Sequence, residues 1–215
     1  MKKNASAPRQ GDRRTLICQA GLTLVAQAGV RGLTHRAVDR KLSLAIGSTS
    51  YYYRRQKDLL SAVTEYMVSL DLNDFEPCSR LLAQAPVDSE ALLNALVDLM
   101  VHFQQPELQE RAAARIELLM AAQRDPQIEA IFSRLWASQA EINLTVLAAL
   151  GSDDGRDVTI SYRALFSGLM LHAAIASLGL YPAIAREELA VTLRRMLGWR
   201  VESIGDEALL VKRKG

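Results

Sequence analysis

The sequence predicts an all-α protein with a small N-terminal unit and a larger helical body. Apolar residues recur at the 3.6-residue spacing of an amphipathic helix through almost all of the 215 residues. Prolines and capping side chains stand where several of these segments begin. The alternation of apolar and polar residues that is typical of a strand is missing, with "ALLVK" at residues 208–212 as one short candidate.

The first predicted helix follows a basic, polar stretch, residues 1–11, which we expect to be disordered. Asp12 is a candidate cap for this helix. Apolar residues at helical spacing between Leu16 and Ala28 form its buried face, and Gly29 and Gly32 end it.

Two short helices are predicted next. Thr34 is a candidate N-cap for a helix over residues 35–41, residues 42–44 form a turn, and a second short helix starts near Ala45. Two short helices joined by a tight turn behind a longer helix describe a helix-turn-helix. In such a unit the second helix lies in the major groove of DNA.

The body is predicted to be helical almost throughout. A further helix begins near Gln56, and later ones begin at Asp88 or Ser89, at Pro106 and at Pro126. A long helix over about 158–178 and a last one over about 185–197 complete the body. The domain boundaries that we expect are 12–57 for the helix-turn-helix unit, 58–198 for the body and 199–215 for a C-terminal tail.

Charge is distributed unevenly along the chain. Residues 1–57 hold twelve Lys or Arg but only two acidic residues, a net charge of +10, whereas residues 58–215 carry −8. A basic N-terminal unit on an acidic body indicates that this unit meets a polyanion. A protein that coats DNA without specificity is a poorer fit, because such proteins are basic throughout.

The segment "SLAIGSTSYYYRRQKDLL", residues 43–60, carries the chemistry expected of a base-reading helix. Small hydroxyl residues allow close approach to bases, and their oxygens donate or accept hydrogen bonds. The basic residues after them can pair with phosphates on either side. Among the three tyrosines, Tyr53 is expected to pack inward.

The stretch "AGVRGLTHRAVDRKLSLAIGSTSYYYRRQKDLLSAV" resembles the TetR family of bacterial transcription regulators. The shared features are a Gly-x-x-x-Leu-Thr start to the second helix, a turn, a recognition helix of small residues and an aromatic-rich segment that ends in a basic residue and a Leu. The sequence departs from this pattern at Ser43 (for the turn glycine), Ala45 (for a hydroxyl cap), Gln56 (for a lysine) and Asp39 (for a small residue).

The resemblance implies a cytoplasmic homodimer that binds a double-stranded, palindromic DNA operator and releases it when a small-molecule effector binds in the body. The candidate DNA contacts are Thr34, Arg36, Gly47, Ser48, Thr49, Ser50, Tyr51, Tyr52, Arg54 and Lys57. The candidate dimer face is Leu165, Gly168, Leu169, His172 and Ala176.

Candidate effector contacts are large apolar and polar side chains of the body, for which core packing is the alternative. They are Tyr66, Leu99, His102, Phe103, Glu117, Met120, Trp136, Phe166 and Met170. Candidate polar anchors are His102, Arg115, Glu117 and His172.

Other classes of protein fit the sequence less well. It lacks a phosphate-binding glycine loop, HExxH and G-x-S-x-G, which disfavours an enzyme, and we expect neither cofactor nor metal. Cys18 and Cys78 stand alone, as in a reduced cytosolic protein. The N-terminus lacks the apolar region of a signal peptide, and we expect no membrane association. An activator, or a regulator without an effector, remains an alternative to a repressor.

Overall fold

The structure is a computed structural model that describes residues 10–151, 155–176, 179 and 182–198. Over these residues it contains helices and connecting turns, and no strand. The helices are α1 (Gln10–Gly32), α2 (His35–Lys41), α3 (Ser48–Tyr52), α4 (Gln56–Asp74), α5 (Glu76–Leu82), α6 (Ser89–His102), α7 (Pro106–Ala122), α8 (Pro126–Ala149), α9 (Gly155–Ile175) and α10 (Arg186–Met196). The all-α prediction is confirmed. The candidate strand at 208–212 and the tail at 199–215 lie outside the described residues.

Helices that begin at a local capping signal begin where the sequence predicts. Thr34 caps α2, its hydroxyl accepting a hydrogen bond from the Ala37 N–H at 3.1 Å. The Asp88 carboxylate caps α6 in the same way. Pro106 and Pro126 occupy the first turns of α7 and α8, where a missing N–H costs nothing.

Three helix starts differ from the prediction, and one helix was not predicted. Helix α1 begins at Gln10, so Asp12 lies in its first turn and residues 10–11 are helical rather than disordered. Helix α3 begins at Ser48, not near Ala45, and α9 begins at Gly155. Helix α5 was not predicted, since it is short and follows α4 after a single residue, Phe75.

Helices α1, α2 and α3 form a unit that we call the head, and α4 joins it to the body, α5–α10. One apolar core runs through both. It contains Ile17 and Val38 in the head and Val63 on α4, and it continues without a break to Leu118 and Phe132 of α7 and α8. Each fully buried side chain of this size stabilises the fold by about 1.5–3 kcal/mol. The head is therefore packed on the body rather than tethered to it.

A second core lies at the other end of the body, among α6, α8, α9 and α10. Leu92, Leu96 and Met100 of α6 pack there against Val146 and Leu189. A smaller aromatic cluster lies beside it. There the Phe166 ring lies 5.7 Å from that of Phe75 and 5.3 Å from that of Phe103, centre to centre.

Not one of the described helices has the length and apolar character that a membrane span requires.

The turn between α2 and α3 contains a strained residue that can be relieved. Ser43 has a φ of 52°, a left-handed conformation that costs a residue with a Cβ about 1 kcal/mol. We expect Ser43→Gly to raise the free energy of unfolding by about 0.5–1 kcal/mol, measured by urea titration. Ser43→Ala is the matched control, because it removes the hydroxyl but keeps the strain. Equal stability of the two variants would contradict this account.

Candidate nucleic-acid interface and effector cavity

The recognition helix α3 is held in place by one carboxylate from α2. Asp39 Oδ2 accepts a hydrogen bond from the Gly47 N–H, and Oδ1 accepts one from the Thr49 N–H, both at 2.8 Å. The Thr49 hydroxyl also donates to Oδ1, at 2.6 Å. Asp39 is only 2% exposed. Asp39 therefore caps α3 from outside that helix. It takes the place of the hydroxyl cap of the family pattern, where this chain has Ala45.

These hydrogen bonds keep Asp39 ionised. Burial alone would raise the pKa of its carboxyl, but the hydrogen bonds from Thr49 and Gly47 outweigh burial and lower the pKa below its ordinary value. Gly47 itself has a φ of 92°, which favours glycine at this N-cap position. The two residues together fix where α3 starts and how it is aimed.

The structure corrects the prediction for Thr49. Its side chain is completely buried and its hydroxyl donates to Asp39, so it has no free face toward DNA. Thr49 positions the recognition helix instead. Sequence alone placed it with the exposed hydroxyls because Asp39, ten residues earlier, was not recognised as its partner.

Four other candidate DNA contacts lie together on the surface of the head. Thr34, Arg36, Gly47 and Ser50 surround a shallow groove between α2 and α3. Tyr51, Arg54 and Lys57, which follow in the chain, are also exposed. Ser48 and Tyr52 are half-buried, and the Ser48 hydroxyl donates to the Ala45 carbonyl at 2.6 Å.

Sequence reasoning missed Ile46 as a member of this surface. It is 85% exposed, precedes the N-cap residue Gly47 of α3, and lines the groove. An exposed apolar side chain there can contact a thymine methyl group. The signal in the sequence is an isoleucine within the turn of a helix-turn-helix, where no core position is expected.

Tyr53 packs inward, as predicted. It is 9% exposed, its hydroxyl lies 3.6 Å from Cys18 Sγ, and the Arg14 guanidinium stacks 5.2 Å from the ring centre. Burial and the Cys18 contact raise its pKa to about 12. By contrast, Tyr51 is 78% exposed and meets Tyr52 edge to face. The three tyrosines therefore divide between the core and the surface.

The body contains a cavity of about 220 Å³ among α7, α8 and α9, which we call the body cavity. Its lining is Phe75, Arg115, Ile116, Leu119, Trp136, Gln139, Ala140, Asn143, Tyr162, Arg163, Phe166, Ser167 and Met170. Apolar walls with a few polar groups are typical of a small-molecule site.

The polar groups that line the body cavity differ in whether another described residue pairs with them. Arg115 is 7% exposed and pairs with the fully buried Asp71 of α4. Tyr162 is also buried, and neither its hydroxyl nor the buried Gln139 Nε2 has a hydrogen-bond partner among the described residues. Burial, together with the nearby Cys78, raises the pKa of Tyr162. Its O–H therefore stays protonated and can donate.

The structure brings Trp136, Phe166, Met170 and the candidate anchor Arg115 to the body cavity. The other candidate effector contacts lie elsewhere. Leu99 and Phe103 are buried in the aromatic cluster, and His102 faces Asp74 at 3.4 Å. Tyr66 packs against the head core, and Glu117 and Met120 are exposed outside the body cavity. His172 lines a different cavity, near the start of α7.

The exposed face of α9 differs from the predicted dimer face. Ile160, Ala164, Gly168 and Leu171, spaced three or four residues apart, are all exposed. Of the predicted dimer face, only Gly168 lies on this exposed stripe. Leu169 is 2% exposed within its own subunit, and Leu165, His172 and Ala176 are half-buried. The exposed stripe thus lies roughly a quarter turn around the helix from the predicted one.

Comparison with family models gives a match over the C-terminal part of the chain. A family model described as "Tetracyclin repressor-like, C-terminal domain" matches residues 87–199, more than half of the chain. No curated protein sequence matches this chain significantly.

Several solved structures share the fold. A putative transcriptional regulator from Saccharomonospora viridis in complex with choline is similar with a TM-score of 0.70 at 16% identity, covering 88% of this chain and 97% of that one. A TetR-family member from Streptomyces coelicolor has a TM-score of 0.60 at 25% identity, with coverages of 86% and 98%. The multidrug-binding protein EbrR complexed with ethidium has 0.57 at 23%, with coverages of 87% and 99%.

The cap on α3 gives a prediction about stability. We expect Asp39→Ala to lower the free energy of unfolding by about 2–3 kcal/mol, because two N–H groups and a buried hydroxyl lose their acceptor. Asp88→Ala, which removes the exposed cap of α6, is the matched control and should cost about 1 kcal/mol. Urea unfolding of both variants measures the difference. Equal losses would mean that Asp39 contributes no more than a surface cap.

Proposed function

Since this chain belongs to the TetR family of transcriptional regulators, we propose that it is a homodimeric repressor that a small-molecule effector releases from its operator. The observation that carries the proposal is α3, anchored by Asp39 and presenting Tyr51 to solvent. A recognition helix must be both fixed and exposed in order to read bases.

Base reading in this proposal comes from Tyr51, Ser48, Ser50 and Ile46, which lie on or next to the exposed side of α3. Phosphate contacts come from Arg36, Arg54 and Lys57, with Thr34 and Gly47 at the groove. The net charge of +10 over residues 1–57 supports this division, because phosphate neutralisation supplies most of the affinity for any DNA.

The dimer in this proposal forms through α9. Ile160 is 65% exposed and Leu171 is 50% exposed, and the small residues Ala164 and Gly168 lie between them. On α8, which packs against α9, Leu144 is 52% exposed. Large apolar side chains in an exposed stripe mark an interaction surface, and a two-fold axis pairs such a stripe with itself. A dimer would present two heads to a palindromic operator.

Release by an effector is supported by the body cavity and by relatives. Structurally similar proteins are complexed with choline and with ethidium, so this fold holds small molecules. An effector that prefers one arrangement of the two heads would lower operator affinity by that preference alone. An activator remains the second candidate, since the sign of regulation depends on where the operator lies. Such a regulator works in the cytoplasm, where the free thiols of Cys18 and Cys78 stay reduced.

Substitutions in the head separate base reading from phosphate binding. We expect Tyr51→Ala to weaken binding to the operator by about 1–3 kcal/mol and to change binding to scrambled DNA little. Arg54→Ala should weaken binding to both and lower the salt slope by about one. Fluorescence anisotropy on DNA flanking the protein's own gene, at several salt concentrations, measures both effects. If Tyr51→Ala weakened both DNAs equally, Tyr51 would be a phosphate contact rather than a base contact.

The dimer surface has its own test. We expect Leu171→Glu to convert the protein from dimer to monomer at micromolar concentration, because two buried carboxylates would meet across the two-fold axis. Light scattering after size-exclusion chromatography measures the mass. Leu72→Glu on α4 is the control, since Leu72 is also exposed, at 36%, but lies off the proposed surface. A dimer that survived Leu171→Glu would place the interface elsewhere.

A further inference from the structure

The charges around the body cavity select a ligand of one sign. Its lining includes two arginines, Arg115 and Arg163, and no Asp or Glu. Arg115 forms an ion pair with Asp71 of α4, which balances its charge. Arg163 is exposed and makes no ion pair with any residue that the structure describes. The lining therefore carries one positive charge, that of Arg163, with which no described carboxylate pairs.

Two buried polar atoms of the cavity are hydrogen-bond donors that need an acceptor. The Tyr162 hydroxyl and the Gln139 Nε2 are donors without a partner in the described part of the chain, and burying such donors unpaired is costly. A ligand that brings an oxygen acceptor would satisfy them. A ligand that brings an ammonium group would add a third cation and leave both donors unpaired.

The walls and the volume define the rest of the ligand. Phe75, Trp136, Phe166 and Met170 form apolar, largely aromatic sides. These rings alone would also suit a cation, so it is the arginines that decide the sign. A volume of about 220 Å³ is below the range of about 300–1,000 Å³ that is typical of drug-sized ligands. One aromatic ring with a short side chain is the size that fits.

We propose that the body cavity takes a single-ring aromatic carboxylate, held by Arg115 and Arg163 and by hydrogen bonds from Tyr162 and Gln139. This assignment names the effector class of the repressor proposed above and rests on that function for its regulatory meaning. The binding itself follows from the cavity and does not depend on DNA.

The position of Arg115 gives such a ligand a route to the head. Arg115 lies on α7 and pairs with Asp71 of α4, the helix whose first turns carry Leu59 and Leu60 in the head core. A carboxylate at Arg115 competes with Asp71 for the same guanidinium. Binding thus weakens the contact that fixes α4 to α7, which is the change that an effector must make in order to move the heads.

The test compares three probes of equal size on the full-length protein: 3-phenylpropanoate, its primary amide and 3-phenylpropylammonium. Trp136 lines the cavity and is 48% exposed, so its fluorescence reports occupancy, and loss of the signal in Trp136→Phe assigns it. We expect the carboxylate to bind at least about tenfold tighter than the amide, and the ammonium not to bind.

Variants assign the contacts, with affinities measured by calorimetry. Arg163→Gln should weaken the carboxylate about tenfold and leave the amide unchanged, because only the charged ligand uses that arginine. Tyr162→Phe should weaken both the carboxylate and the amide, because both accept from the hydroxyl. Arg134→Gln is the control, since Arg134 is also exposed but lies outside the cavity, with its Nη2 3.8 Å from Glu65 Oε1.

The proposal is overturned if the ammonium binds as tightly as the carboxylate, or if the carboxylate shows no binding at about 1 mM. It is also overturned if Arg163→Gln and Arg134→Gln have the same effect.

Anisotropy on the flanking DNA separates the two proposals. Carboxylate binding to a protein that ignores every DNA would overturn the repressor and leave the cavity assignment standing. Operator binding that only cations release would overturn the carboxylate and leave the repressor standing.

Discussion

A buried ion pair between Asp71 of α4 and Arg115 of α7 fixes the helix that joins the head to the body. Asp71 is fully buried on α4, and Arg111 on α7 lies 3.7 Å from it while also pairing with Asp74. Burial raises the pKa of the Asp71 carboxyl, and the two guanidinium groups oppose that rise. Removing one member of such a pair costs about 3–5 kcal/mol, whereas replacing the pair by apolar residues is often neutral. The Asp71–Arg115 pair therefore contributes to register, since it sets which turn of α4 faces which turn of α7.

Sequence predicted the elements whose signals are local. Thr34, Asp88, Pro106 and Pro126 each mark a helix start within a few residues, and each helix begins there. The start of α3 was misplaced because its cap is not local. Asp39 stood out in the sequence only as a departure from the family pattern, yet in the structure it supplies the acceptors that α3 needs. A nonlocal cap has no fixed spacing to recognise, which is why Thr49 was assigned to the surface.

In the body, sequence also failed to predict which side of helix α9 packs inward. Helix α9 is apolar on two sides, with Ile160, Ala164 and Leu171 on one and Leu169 and Met170 on the other. Periodicity identifies such a helix but cannot choose which side packs inward, so the predicted dimer face was a mixture of the two. The cavity lining depends on this rotation as well. Tyr162, which is buried on α9 and lines the cavity, was therefore not found from sequence.

A ligand in the cavity can affect the head only over a distance, because Asp71 and the head core lie at different points of α4. Asp71 lies twelve residues beyond Leu59 on one continuous helix, about 18 Å along its axis. A rigid helix transmits a small displacement over that length, but only an energetic preference changes the population of two states. Moving an equilibrium from mostly bound to mostly released requires about a 10⁴-fold preference. One shared guanidinium does not supply that factor alone, so the aromatic walls of the cavity must also fit the ligand better in the released arrangement. Phe166 is placed for this, because its ring contacts Phe75 at the end of α4 and Phe103 at the end of α6.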